Sequence, residues 1–192
     1  NQLIMINYPY AIRIGLIWGA AYILIQLILY LFSSSLITNS WIASLIFLLG
    51  LIPMYISGSE HKLKLGGYLS WKEALIPIWI TSIVYSFFSM VFTFILYNFL
   101  APELIDEQRN AQIKIMENFR GTMGNEATEK AIEDIANTNP FSFGKIILAF
   151  CFSLIFYFII SSIIALILKK ENPNLIFEKY KENPDPFDAT NS

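Results

Sequence analysis

Residues 74–102 read ALIPIWITSIVYSFFSMVFTFILYNFLAP, 29 positions without one Asp, Glu, Lys or Arg. A helix on the surface of a water-soluble domain keeps charge on its outward face, whereas about 20 apolar residues suffice to cross the hydrocarbon of a bilayer. The run therefore reads as a membrane span, and that decides the fold class. Ile14–Ser59 gives 46 further uncharged residues and Ile146–Leu168 another 23. The first of these is long enough for two spans, with the polar break SSSLITNS (33–40) between them. The expected fold is all-α, an integral membrane four-helix bundle with spans at about 10–32, 36–56, 74–101 and 146–168. These belong to one membrane domain, 1–170, with an amphipathic helical extracytoplasmic loop over 102–144 and a cytoplasmic tail over 171–192.

Composition agrees. The chain is 55% hydrophobic and 15% charged, against about 25% charged in soluble domains. The first run is too long for a cleaved signal peptide, lacks an A-x-A-type site and is followed closely by a second span. Because the chain opens on Asn rather than Met, residues are expected to precede it. The single cysteine, Cys151, falls inside the fourth span and reads as a small core residue. A net charge of −2 without a basic, aromatic-interleaved surface gives no reason to expect nucleic acid.

Lys and Arg beside the spans set orientation. Arg13, Lys62, Lys64, Lys72, Lys169, Lys170, Lys179 and Lys181, eight of the thirteen, fall on one side. The 102–144 side carries eight acids between Glu103 and Asp134. Both termini are therefore expected in the cytoplasm and the acidic loop outside, in a bacterial inner membrane.

The stretch GGYLSWKEAL (66–75) introduces the third span. Ser70 and Glu73 have the S-x-x-E spacing of a capping box, in which the hydroxyl and the carboxylate satisfy two otherwise unpaired backbone N–H groups. Gly66 and Gly67 permit a sharp turn. Tyr68 and Trp71 have rings suited to the headgroup level. Gly-Gly, Ser, Lys and Glu could also grip an anionic headgroup, but the expected role is structural, the cytoplasmic entry of the third span. The longer string EHKLKLGGYLSWKEAL (60–75) resembles an uncharacterised family of small four-helix inner-membrane proteins of Bacteroidetes-type bacteria. Members also have an acidic, helical outer loop ending near a Pro-Phe pair, here Pro140-Phe141. The resemblance covers about Tyr10 to Lys170. It implies the fold and the membrane, and carries no established activity. Genes of the resembling family often lie beside a polyprenyl-phosphate glycosyltransferase, so the resemblance implies a setting in cell-envelope glycan or lipid-linked sugar assembly.

Small residues recur at four-residue spacing in the first span, Ala11, Gly15 and Gly19, and the fourth carries a stripe at the same steps, Ala149, Ser153, Tyr157, Ser161 and Ala165. Such stripes allow close backbone approach, so Gly15, Gly19, Ser153, Ser161 and Ala165 are expected at helix interfaces. Ser82, Ser86, Ser89 and Thr93 line up on the third span. The hydroxyl-bearing faces of spans three and four could instead line a cavity, and a ligand-sized polar cavity there would favour a transporter or channel for a lipid or amphiphile.

No ionisable side chain lies deep in a span, where transport or proton relay would need one. Pro53 and Pro77 sit towards span ends. The only histidine, His61, falls in a charged loop with no Cys or second His near it, and no phosphate-cradling or H-E-x-x-H motif occurs. Glu103, Asp106 and Glu107 could hold a hard cation, yet they follow Pro102 in a first helical turn, where the helix dipole favours acids. No catalytic, cofactor or metal residues are therefore expected. The leading expectation is a non-catalytic accessory subunit of an inner-membrane complex, in contact with the bilayer and other membrane subunits; a lipid-headgroup enzyme is a further alternative. Two amphipathic helices are expected in the loop, broken at RGTMGN (120–125), with Asn125 capping the second. The tail residues Phe177, Tyr180 and Phe187 would be partner anchors.

Overall fold

A computed structural model describes residues 8–173; Phe177, Tyr180 and Phe187 lie outside the described residues. Four long helices are linked in sequence: α1 (Pro9–Phe32), α3 (Ser40–Lys64), α4 (Trp71–Ile95, continued by a π turn over Leu96–Leu100) and α8 (Phe143–Leu168). A single turn, α2 (Ser34–Ile37), joins the first two. Between α4 and α8 lie α5 (Leu104–Asn118), the turn α6 (Arg120–Met123) and α7 (Asn125–Asn137). No strand occurs among the described residues; one isolated bridge pairs Leu69 with Lys170.

Each long helix is apolar and long enough to cross a bilayer. Leu24, Leu31, Phe152, Ile155 and Leu166 are among the many large apolar side chains left exposed. In water such a surface would drive association; in lipid it is the contact surface. The chain is a multi-pass membrane protein embedded in a lipid bilayer.

α4 is the hub and packs against α1, α3 and α8. Half of its most apolar window is buried, against 11% for α1, which lies at the periphery. The α1–α4 approach depends on missing side chains. A Cβ on Gly15 would sit 2.8 Å from Val84 Cβ and 2.9 Å from the Thr81 carbonyl oxygen, and one on Gly19 would sit 2.9 Å from Phe88 Cβ. That closeness puts Thr81 Oγ1 3.1 Å from the Ala11 carbonyl and 2.8 Å from Ser57 Oγ of α3, so one buried hydroxyl ties three helices. Gly58 of α3 plays the same part where α3, α4 and α8 meet, since a Cβ there would meet Leu168 and Ile78. The four-residue stripes of the sequence do not include it.

The second helix runs further than its apolar run. Expected to end near Ile56, it continues through the charged segment to Lys64. It stops there because Gly66 (φ 73°) enters the left-handed region, with Gly67 N–H donating to Lys62 O and Gly66 N–H to Leu63 O. These two bonds close a Schellman motif. His61 therefore lies not in an exposed loop but on the last turns of α3, stacked on Tyr10 with Tyr8 edge-on.

In the α5–α7 segment, Gly124 (φ 84°) rather than Asn125 takes the cap position of α7, and Asn125 Oδ1 accepts from Arg120. Arg120 also clamps Glu117 through two bonds of 2.8 Å, which holds that carboxyl below the usual carboxylate range.

Candidate functional site

At the Gly66–Gly67 end, the capping box forms with both reciprocal bonds. Ser70 Oγ accepts from Glu73 N–H (3.4 Å), and Glu73 Oε2 accepts from Ser70 N–H (2.9 Å). Here Leu69 and Lys170 exchange backbone bonds of 2.8 and 2.9 Å, and Lys62 Nζ donates to Leu168 O. The GGYLSWKEAL segment thus joins the entry of α4 to the exit of α8. Met54, Leu69, Ala74, Ile78, Ala165 and Leu168 fill the interior beneath it, and Ser161 is also fully buried. This half of the bundle is packed.

The other half is not. Between α4 and α8 lies a half-open cleft of about 230 Å³. Ser86, Ser89 and Thr93 line it from α4, and Ala149, Ser153 and Tyr157 from α8. Spacings of three and four residues put each trio on one face, and the helices place the two faces opposite one another. Tyr85 and Tyr157, their rings 6.1 Å apart and edge-on, lie at the deep end. Pro140 and Phe141, in the linker before α8, also line the cleft. Met90, Ile146 and Phe150 supply apolar wall.

The hydroxyls differ in their use of hydrogen bonds. Ser82, one turn before Ser86, donates back to Ile78 O, and Ser153 donates to Phe150 O at 2.7 Å. Such back-bonding is the usual refuge of a hydroxyl inside a helix. Ser86 is 95% buried, yet its Oγ has no partner. A buried polar atom left unpaired costs about 1–3 kcal/mol.

Phe141 is held in place from two directions. Its ring stacks on Tyr97 of the π turn, with centroids 3.5 Å apart and planes 7° from parallel. Its carbonyl accepts from Asn98 Nδ2 at 2.9 Å, while the same amide donates to Phe94 O. On the other side of Phe141 is a second cavity of about 200 Å³ between α1, α4 and α5. Gln26 lines it, donating to Tyr22 OH while its Oε1 lacks a partner. A third groove, about 570 Å³, adjoins the cleft at Pro140 and Ala149 and carries Asp134 and Lys145.

The structure thus separates the residues singled out from sequence. Ser153 lines the cleft, Ser161 and Ala165 are buried nearer the packed end, and Gly15 and Gly19 seat α1 on α4. Glu103 and Glu107 accept from Tyr30 and Ser34, and Asp106 pairs with Arg109, so these acids fasten α5 and brace it rather than converging. No cluster able to hold a metal occurs among the described residues. Sequence reasoning missed Phe141 as a cleft-lining residue, Asn98 and the π turn. The Pro-Phe pair itself was visible, but not its distant partner.

No curated protein and no solved structure matches the chain. The profile of one family, described as a protein of unknown function (DUF4199), matches residues 13–170, which is most of the sequence. The chain therefore belongs to the DUF4199 family.

Proposed function

We propose that this protein is a non-catalytic accessory component of a bacterial inner membrane, with both termini cytoplasmic, that binds an amphiphile in the cleft between α4 and α8. The observation that carries the reading is the unpartnered, buried Ser86 hydroxyl on the wall of a cavity that is polar on one part and apolar on another. Pockets for whole small molecules usually measure about 300–1,000 Å³. A smaller cleft suits part of an amphiphile, its polar group and the first stretch of chain, with the remainder in lipid. The packed Gly66–Gly67 half favours binding over conduction, because the cleft meets filled core beyond the tyrosine pair. Neither a carboxylate nor an imidazole is among its lining residues, which favours binding over headgroup chemistry.

Accessory service to a larger assembly is part of the proposal. α1 and α8 each leave a broad apolar face exposed, on which another membrane subunit could seat as readily as lipid. Envelope glycan or lipid-linked sugar assembly, the setting implied by the resemblance, is where a partner is first sought. The test is purification of the full chain in mild detergent, followed by native mass spectrometry. A retained amphiphile that is lost from an Ala149→Phe variant of equal thermal stability supports the reading. A bare wild-type protein, with no amphiphile restored by added membrane lipid extract, overturns it.

A further inference from the structure

The chemistry of the cleft narrows what enters it. Every polar side chain on its wall is a neutral hydroxyl: Tyr85, Ser86, Ser89, Thr93, Ser153 and Tyr157. They run from about the midpoint of the two spans towards the α5–α7 end: the deepest, Tyr157, is 14 residues from the start of α8, about 21 Å along a 26-residue helix at 1.5 Å per residue. At that depth an anionic group would leave water without a counter-charge, which is costly. The adjoining groove carries a cation, Lys145, but Asp134 lines it too, so little net positive charge is available there. The hydroxyls also specify a pattern. Ser153 has given its proton to Phe150 O and can only accept. Ser86 has neither given nor received. A group that donates to Ser153 and also takes up the free Ser86 proton must donate as well as accept; a fully ionised phosphate only accepts, whereas an alcohol does both.

Resting on the amphiphile-binding reading above, we infer that the cleft receives the uncharged, hydroxyl-bearing head of a neutral lipid of the acylglycerol class. The head hydroxyl donates to Ser153 Oγ, and the neighbouring ester carbonyl accepts from Ser86 Oγ. The upper acyl chain lies along Met90, Ile146 and Phe150. The lipid enters sideways, where the exposed Ala149 marks the open edge of the cleft.

The test uses the full chain in lipid nanodiscs with two photoactivatable probes that share one diazirine acyl chain, diacylglycerol and phosphatidic acid. The expected result is diacylglycerol crosslinking to peptides of α4 and α8 that unlabelled diacylglycerol competes away and that Ala149→Phe abolishes. Ser86→Ala should weaken this labelling about fivefold, as for one hydrogen bond, without lowering thermal stability, since it removes an atom that bonds to nothing in the unliganded protein. Should Ser86→Ala fail to fold, Ser153→Ala provides the same comparison. Equal or stronger competable labelling by phosphatidic acid would overturn the neutral-head inference while leaving amphiphile binding intact. Labelling by neither probe above that of the Ala149→Phe variant would overturn the inference; the native mass spectrometry above decides separately whether amphiphile binding falls with it. Diacylglycerol labelling unchanged by both serine replacements would place the probe on the lipid-facing surface and likewise overturn it.

Discussion

Phe141 lies flat on Tyr97, their ring centroids 3.5 Å apart, although 43 residues of loop and helix separate them. The contact links the π turn that ends α4 to the linker that starts α8. Phe141 and Thr93 line both the α4–α8 cleft and the cavity between α1, α4 and α5, so together they form the partition between two hollows. A π turn shifts the helical register, and here it points Asn98 and Tyr97 at the linker together.

Replacing Phe141 by Ala should merge the two cavities and remove the stack. Loss of a large aromatic costs about 3–5 kcal/mol when fully buried; the partial exposure of Phe141 places it at or below the lower end. Asn98→Leu should cost about 1 kcal/mol through the lost bond to the linker. Thermal unfolding in one detergent compares the two, and a Phe141→Ala variant as stable as wild type would show that the stack does not hold the linker.

The glycines of α1 should be less tolerant than Gly58. At Gly15 an added methyl meets Val84 Cβ and a backbone carbonyl, neither of which can move without shifting α4. At Gly58 it meets the far ends of Leu168 and Ile78, which can rotate. Gly15→Ala should cost about 1–3 kcal/mol, as overpacked interiors do, and Gly58→Ala less. The reverse order in a thermal melt would contradict the α1–α4 seating.

Ser70 and Glu73 should act on stability alone. Replacing both with Ala removes the capping box and should cost about 0.5–2 kcal/mol. Glu73→Gln should keep much of it, because an amide oxygen can also reach the Ser70 N–H. Amphiphile labelling at the far end of the bundle should be unaffected; loss of labelling in a stably folded double variant would make this segment part of the site.

Orientation can be read with single cysteines at Lys64 and Glu129 in a Cys151→Ala background. With both termini cytoplasmic, a membrane-impermeant maleimide on whole cells should label Glu129→Cys and spare Lys64→Cys. Labelling of Lys64→Cys from outside would invert the arrangement.

Charge-free runs made the four long helices legible, because the cost of carrying a charge into hydrocarbon depends on composition and length alone. The Ser70–Glu73 box and the Gly66-Gly67 turn were legible for a similar reason: their bonds close within a few residues. The site was legible only in outline. Ser82, Ser86, Ser89 and Thr93 form one stripe in the sequence, but the helix packing decides that Ser82 is buried and back-bonded, and that the other three line a hollow, Ser86 buried there without a partner. Small side-chain stripes indicate that helices approach one another without specifying where along their length they part. The cleft exists because α4 and α8 are joined at one end by the Leu69–Lys170 bridge and flank the Tyr97–Phe141 stack at the other. Those pairs are distant in the chain, and only the tertiary structure brings them together.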